Sequence, residues 1–274
     1  MIRDITIGQF YPADSLIHKL DPRVKLVATL MYLISLFLFQ NIPGYLVTTL
    51  FLICVIKLSK VPFSFIMRGL RPVIFLLLLT LCFNLFLTRG GEVLFTFHIF
   101  VITETGLRTA VFMAIRLIYL IIGASLMTFT TSPNGLTDGI EDLLKPLKKV
   151  HVPVHEIAMM MSIALRFIPI LLEETDKIMK AQIARGADLE SGNIIQKVKA
   201  MVPILVPLFV SAFRRANDLA MAMEARCYNG GEGRTKMKPL RYKRIDYNAY
   251  IIMILYVIVA VLIGRVLPLH IWIF

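Results

Sequence analysis

The chain has 274 residues, 57% of them hydrophobic, and its 30 Lys and Arg against 18 Asp and Glu give a formal net charge of +12. Soluble domains are usually about 45–50% apolar, so the composition excludes an ordinary globular protein and points to an integral membrane protein. In that setting the positive charge reads as Lys/Arg-rich cytoplasmic loops beside a lipid bilayer, with no nucleic acid implied, and three Cys without a Cys-x-x-Cys spacing suggest neither a zinc site nor a redox pair.

The chain starts Met-Ile-Arg-Asp-Ile-Thr, without the apolar core of a signal peptide, so the first span is expected to direct insertion. Asp21 followed by Pro22 reads as a helix start, because Asp can cap and Pro at the first helical position loses no needed N–H. A first apolar run covers 24–39. Asn41, Pro43 and Gly44 break it, and a second run, 45–56, completes a helical hairpin. Lys57, Lys60, Arg68 and Arg71 then read as a basic loop ahead of a third run over 72–88. A loop with Arg89, Glu92, Glu104 and Arg108 follows, in which 93–101 reads as a short hairpin or an interfacial segment. The fourth run, 107–131, carries Arg116, whose charge costs roughly 2.5–3.5 kcal/mol at mid-bilayer unless it snorkels or pairs, with Asn84 or a partner as candidates. Gly123, Ala124 and Ser125 in that run permit close helix approach. The last run, 250–267, precedes Pro268 and an aromatic tail with Trp272 and Phe274.

Lys and Arg alternate along the chain as rich, absent, rich, poor, rich. By the positive-inside rule this predicts five spans, the N-terminus inside and the stretch 133–244 in the cytoplasm. The fold class is therefore all-α, with about five transmembrane helices and a cytoplasmic region of two long amphipathic helices and a shorter one. Three blocks follow: 1–132 with four spans, 133–244, and 245–274 with the last.

Within 133–244, residues 138–148 read as the short helix, acids early and lysines late, as the macrodipole favours. Residues 155–183 place Ile157, Met161, Leu165, Ile168, Leu172 and Met179 at helical spacing opposite Glu173, Glu174, Asp176, Lys177 and Lys180, which predicts an amphipathic helix rather than a span, bent at Pro169. Gly186 ends it, with a turn at Asp188, Ser191, Gly192 and Asn193. A second long helix runs from 194 to about 228 through Pro203 and Pro207. Gly230, Gly231 and Gly233 lead into a basic linker over 234–244. Both long helices finish on Ala-Arg: Ala184-Arg185-Gly186 and Ala225-Arg226-Cys227. A guanidinium on a helix tip among small neighbours is suited to insertion in a partner's groove, where its planar fork grips carboxylates or backbone carbonyls.

Ser15-Leu16-Ile17-His18-Lys19-Leu20-Asp21-Pro22-Arg23-Val24-Lys25, Leu165-Arg166-Phe167-Ile168-Pro169, Ala184-Arg185-Gly186 and Glu224-Ala225-Arg226-Cys227-Tyr228 stand in an order that resembles the transmembrane subunit of energy-coupling factor (ECF) vitamin and metal transporters, EcfT, over nearly the whole chain. The second arginine motif departs from Ala-Arg-Gly at Cys227. The resemblance implies a non-catalytic scaffold of an ABC-type importer in a prokaryotic cell membrane. Two ABC ATPase subunits would dock at Ala184, Arg185, Gly186 and at Ala225, Arg226, Cys227. They would bind ATP-Mg themselves, with no cofactor in this chain. A separate substrate-binding membrane subunit would choose the cargo.

The residues agree with a coupler. There is no Gly-x-x-x-x-Gly-Lys-Ser/Thr loop, and His155-Glu156 does not continue to a His-Glu-x-x-His. An integral-membrane enzyme acting on lipid at the cytoplasmic interface would need clustered acids or His, and the one tight cluster, Glu173, Glu174 and Asp176, lies beside lysines. A secondary transporter would be expected to show paired interrupted spans, and none is legible.

Overall fold

A computed structural model describes residues 10–39, 41–87, 90, 93–97, 100–187, 193–231, 237 and 239–266. The loop residues Arg89 and Glu92, the turn at Asp188, Ser191 and Gly192, the linker residues 234–236 and the tail with Trp272 and Phe274 lie outside them. The described residues are overwhelmingly helical, in the order α1 (Pro22–Leu38), α2 (Ile42–Ser59), α3 (Phe63–Leu70), α4 (Ile74–Leu87), an antiparallel hairpin of β1 (Val93–Phe97) and β2 (Phe100–Thr103), α5 (Glu104–Thr130), α6 (Pro133–Leu144), α7 (Val154–Ala184), α8 (Ile194–Glu224) and α9 (Arg244–Val266). They fall into two compact units. One draws on Gly8–Gly139 and Leu240–Phe274, the other on Ile140–Pro239.

Among the described residues five helical stretches are long and apolar enough to cross a membrane: Ile42–Ser59, Phe63–Phe86, Glu104–Thr130, Val154–Ala184 and Arg244–Ile263. Four match expected spans. The fifth is α7, which the sequence pattern reads as a cytoplasmic amphipathic helix. Its acid and lysine cluster is gathered after Pro169, so its first half qualifies by composition. By contrast α1, at 17 residues, sits at the lower limit for a span.

The turn formers sit inside helices more often than the sequence suggests. Pro43 lies in the first turn of α2, where a missing N–H costs nothing. The expected basic loop is mostly helix: α2 runs through Lys57 to Ser59, and α3 starts at Phe63 and takes in Arg68. A 3-10 turn over Arg71–Val73 joins it to α4. The short helix α6 begins at Pro133, five residues earlier than expected, because Ser132 caps it through its Oγ to Gly135 N–H (3.2 Å). The last helix starts six residues early, at Arg244.

The first unit packs α1, α2, α5 and α9 around Tyr32, Leu36, Leu52, Phe129 and Tyr256. Several of its buried polar groups are paired across helices. The hydroxyl of Tyr256 shares hydrogen bonds with Ser35 Oγ (3.2 Å) and Thr48 Oγ1 (3.1 Å), joining three helices. At Gly123 a methyl group would collide with the Tyr32 ring, so the small residue sets the approach of α5 to α1.

Orphan groups at the helix ends meet in one node. The last carbonyls of α5 have no helical partner, and Lys25 Nζ donates to Thr130 O (2.7 Å) while Tyr11 N–H donates to Phe129 O (2.9 Å). Asp246, 1% exposed, accepts from Asp21 N–H at Oδ1 (2.8 Å) and from Lys243 N–H at Oδ2 (2.7 Å), tying the first helix to the last. Asp21 in turn takes a fork from Arg23 Nε (3.0 Å) and Nη2 (2.9 Å). Burial disfavours the Asp21 charge, but the Arg23 guanidinium and N–H outweigh it and hold the carboxyl below its ordinary value.

Two outcomes follow for thermal unfolding of the purified protein. Asp246→Ala orphans the buried Asp21 N–H, roughly 1–3 kcal/mol before relaxation, together with the part-buried Lys243 N–H, and is expected to lower the melting temperature by several degrees; an unchanged melting point contradicts the node. The depressed Asp21 value contributes stability that is complete above the unfolded carboxylate pKa and disappears as pH falls through the lower folded value. Asp21→Asn should therefore flatten the acid limb of the stability curve while leaving its shape above neutrality unchanged.

Candidate functional site

Both Ala-Arg sequences end their helices in the same backbone reversal. At the end of α7, Gly186 N–H donates to Ile183 O (2.9 Å) and Ala187 N–H to Gln182 O (3.0 Å), with Gly186 at φ +88°. At the end of α8, Cys227 N–H donates to Glu224 O (2.8 Å) and Tyr228 N–H to Met223 O (3.0 Å), with Cys227 at φ +56°. These are two Schellman motifs in matching register. Arg185 and Arg226 each occupy the last position before the left-handed residue, Ala184 and Ala225 precede them, and all six residues are exposed. Replacing Gly by Cys at the third position leaves the helix ending intact, so the departure from Ala-Arg-Gly is one of side chain and not of geometry.

The reversal has a consequence for the arginines. Past each Arg the chain turns away from the helix axis, so the guanidinium stands on a tip with small residues on either side. Among the described residues neither guanidinium has a hydrogen bond or an ion pair. The helix dipole favours a cation there.

Within the second unit α7 and α8 pack antiparallel. Glu174 near the end of α7 meets Arg215 of α8 (Nη2 to Oε2, 3.4 Å), and Gln182, further along α7, meets Pro203, earlier in α8. The two arginines are therefore held at different ends of one helix pair. At a rise of 1.5 Å per residue, the stretch from Pro203 to Arg226 separates them by on the order of 35 Å.

The Gln182 contact escapes sequence reading. Pro207 has no N–H, so the carbonyl four residues earlier, on Pro203, lacks its helical donor. Gln182 Nε2 donates to that carbonyl at 3.3 Å. A proline that would merely weaken α8 becomes an attachment point for α7, three residues before Arg185. The one visible signal is Pro207 itself, which announces a free carbonyl at Pro203 without naming its donor.

Other chemistry is sparse. Among the described residues no three His, Cys, Asp or Glu side chains are grouped to hold a metal ion. His155 Nδ1 pairs with Glu141 Oε1 at 2.9 Å and packs its ring against Gly231, a local tie within this unit.

Comparison with known proteins gives consistent matches. The profile of the CbiQ family, described as cobalt transport protein, matches residues 13–237. An energy-coupling factor transporter transmembrane protein EcfT from Clostridium kluyveri is 57% identical over 263 residues, 96% of this chain and 97% of the relative. Proteins of the same name from Thermosediminibacter oceani and Bacillus subtilis are 55% identical over 250 residues and 50% over 254, covering 91% and 93% of this chain and 94% and 96% of theirs.

Two stability measurements check the helix ends. Cys227→Gly removes a side chain from a left-handed position and is expected to stabilise by about 1 kcal/mol, whereas Gly186→Ala should destabilise by a similar amount; equal melting points for both variants and wild type would contradict the matched reversals. Gln182→Ala should cost roughly 0.5–1 kcal/mol, and much less in a Pro207→Ala background, where residue 207 regains an N–H for Pro203 O. Additive effects in that cycle would contradict the attachment.

Proposed function

The chain belongs to the family of energy-coupling factor transporter transmembrane proteins and is the membrane component of such a transporter; on that footing we propose that it couples ATP hydrolysis by two cytoplasmic ABC ATPase subunits to movement of a separate substrate-binding membrane subunit. The observation that carries this reading is the pair of matched, exposed Ala-Arg helix ends, set apart on one antiparallel helix pair. Each ATPase receives one tip: Arg185 with Ala184 and Gly186, Arg226 with Ala225 and Cys227. Small neighbours let the tip enter a groove, and the guanidinium grips carboxylates or backbone carbonyls inside it. ATP-Mg belongs to the ATPases, and this chain supplies no catalytic group.

A rigid link between the tips suits coupling. When the ATPases move, the helix pair receives the displacement at both ends, and the Gln182–Pro203 and Glu174–Arg215 contacts make α7 and α8 respond together. One face of α8 carries exposed Val198, Val202, Leu205, Phe209 and Phe213, spaced at three and four residues, with Phe209 and Phe213 stacked at 6.4 Å. An apolar stripe of this kind supports contact with a partner that is itself a membrane protein, here the substrate-binding subunit. The Lys/Arg distribution supports a cytoplasmic N-terminus.

The test is stoichiometry in the purified complex. Arg185→Glu and Arg226→Glu are each expected to weaken one ATPase contact by roughly 2 kcal/mol or more, about thirty-fold, so each single variant copurifies with one ATPase tightly held and the double variant with none. A double variant that retains both ATPases and couples hydrolysis to uptake contradicts the assignment.

A further inference from the structure

A lysine-rich turn in the second unit belongs neither to the helix tips nor to the contacts between α7 and α8. Residues Lys145–Val150 form a 3-10 turn directly on the end of α6. In a 3-10 helix side chains three residues apart eclipse one another. The sequence places apolar residues at that spacing, Leu144, Leu147 and Val150, and they are 39%, 42% and 74% exposed. Lys145 and Lys148 form the next row, and Pro146 and Lys149 the third. The apolar row therefore has lysine on both sides. On an α-helix a spacing of three would drift off the face, so the 3-10 winding is what aligns it.

The turn is held in this shape from both ends. His151 is left-handed at φ +60°, its N–H donates to Lys148 O (3.2 Å), and Val152 N–H donates to Leu147 O (3.4 Å). At the other end Lys145 Nζ pairs with Asp142 Oδ1 at 2.6 Å. Val154 and Ala158, in the first turns of α7, are buried and anchor the chain beyond it. Lys148 and Lys149 are exposed and have no hydrogen bond or ion pair among the described residues, and no acid occurs from 143 to 155. The turn thus presents three apolar side chains and two uncompensated ammonium groups on a fixed frame.

We propose that this turn lies in the headgroup layer of the membrane, with Leu144, Leu147 and Val150 at the acyl boundary and Lys148 and Lys149 on the phosphates of anionic phospholipids. A lysine lays its methylene stem along apolar surface and keeps its ammonium among polar groups, and a narrow apolar row between lysines is the pattern of a segment lying in the interface plane. The charge is complementary to an anionic lipid surface, whereas contacts between proteins are depleted in lysine. Chain length keeps the surface within reach. Only α6, twelve residues or about 18 Å long, and a short link separate the turn from α5, a helix of membrane length. The contact ties the start of α7, four residues beyond Val150, to the bilayer surface.

The full-length chain is placed in vesicles of phosphatidylcholine, with or without roughly one-third phosphatidylglycerol. Its single tryptophan is removed by Trp272→Phe, and Leu147→Trp or, in a second variant, Val150→Trp supplies a fluorescent reporter. Phospholipid brominated on its acyl chains is expected to lower the emission of each reporter about twofold in the phosphatidylglycerol vesicles, with weak quenching by aqueous acrylamide. Lys148→Gln with Lys149→Gln, or high salt, should restore most of that emission and open the reporter to acrylamide. Free access of acrylamide with no quenching by brominated lipid, in both reporters, overturns the proposal. Equal lipid quenching with and without phosphatidylglycerol, unaltered by the lysine substitutions, overturns the anionic-lipid assignment. Reporters that are open to acrylamide in the chain alone and shielded only in the assembled transporter make the row a protein contact and overturn it as well.

Discussion

The helix ends depend on one backbone constraint. The last carbonyls of an α-helix have no donors ahead of them, and a helix that stops in an exposed place must supply them. Behind both arginines the chain does so by turning one residue left-handed and folding two N–H groups back, at Gly186 with Ala187 and at Cys227 with Tyr228, as it does also at His151 with Val152. The same turn stops the helix one residue after an arginine and takes the following chain aside. Stability of the helix end and exposure of the guanidinium thus have one cause. Glycine adopts the left-handed conformation freely, while cysteine bears a strain that the two returning hydrogen bonds offset.

The prolines act on the same pair of helices. Each one removes a donor and frees a carbonyl four residues upstream. In α8 one such carbonyl, that of Pro203, is taken up by Gln182 of α7, so a local defect becomes a contact between helices. The first unit shows the same economy with charge. Asp246, Asp21, Arg23 and Lys25 are not placed for chemistry; they satisfy N–H and carbonyl groups that the ends of α1, α5 and α9 leave open. In both units polar side chains follow the unsatisfied backbone.

Much of this was legible in the residues. Asp21-Pro22 announced the start of α1, the apolar runs placed four of the five membrane-length helices, and Gly186 marked the end of α7. The reading failed where a local signal has two meanings. Pro43 looked like a break and the short helix looked as if it started at 138, yet proline is also a favoured first-turn residue, and both α2 and α6 use it so. Arg68 looked like a loop cation because charge counting does not distinguish a loop from an amphipathic helix end, and α3 carries it beside the buried Ile66. The amphipathic reading of α7 rests on a polar face that runs from Glu156 and Arg166 to Lys180, while length and composition alone also let its less charged first half qualify as a span. At the helix tips, the arginines were legible as a repeat, but the equivalence of Cys227 to Gly186 required backbone angles, and the Gln182 contact required knowing which helix lies beside α8.

The central claim is that Arg185 and Arg226 hold two different partner chains at separate ends of one helix pair. Site-specific photocross-linking reads this directly: a photoreactive residue is placed at 185, at 226, or at both, in the assembled transporter within native membranes. The account predicts that each single position captures one ATPase subunit and that the doubly labelled chain captures two. Cross-links from both positions to the same ATPase, or to lipid and this chain alone, would contradict it.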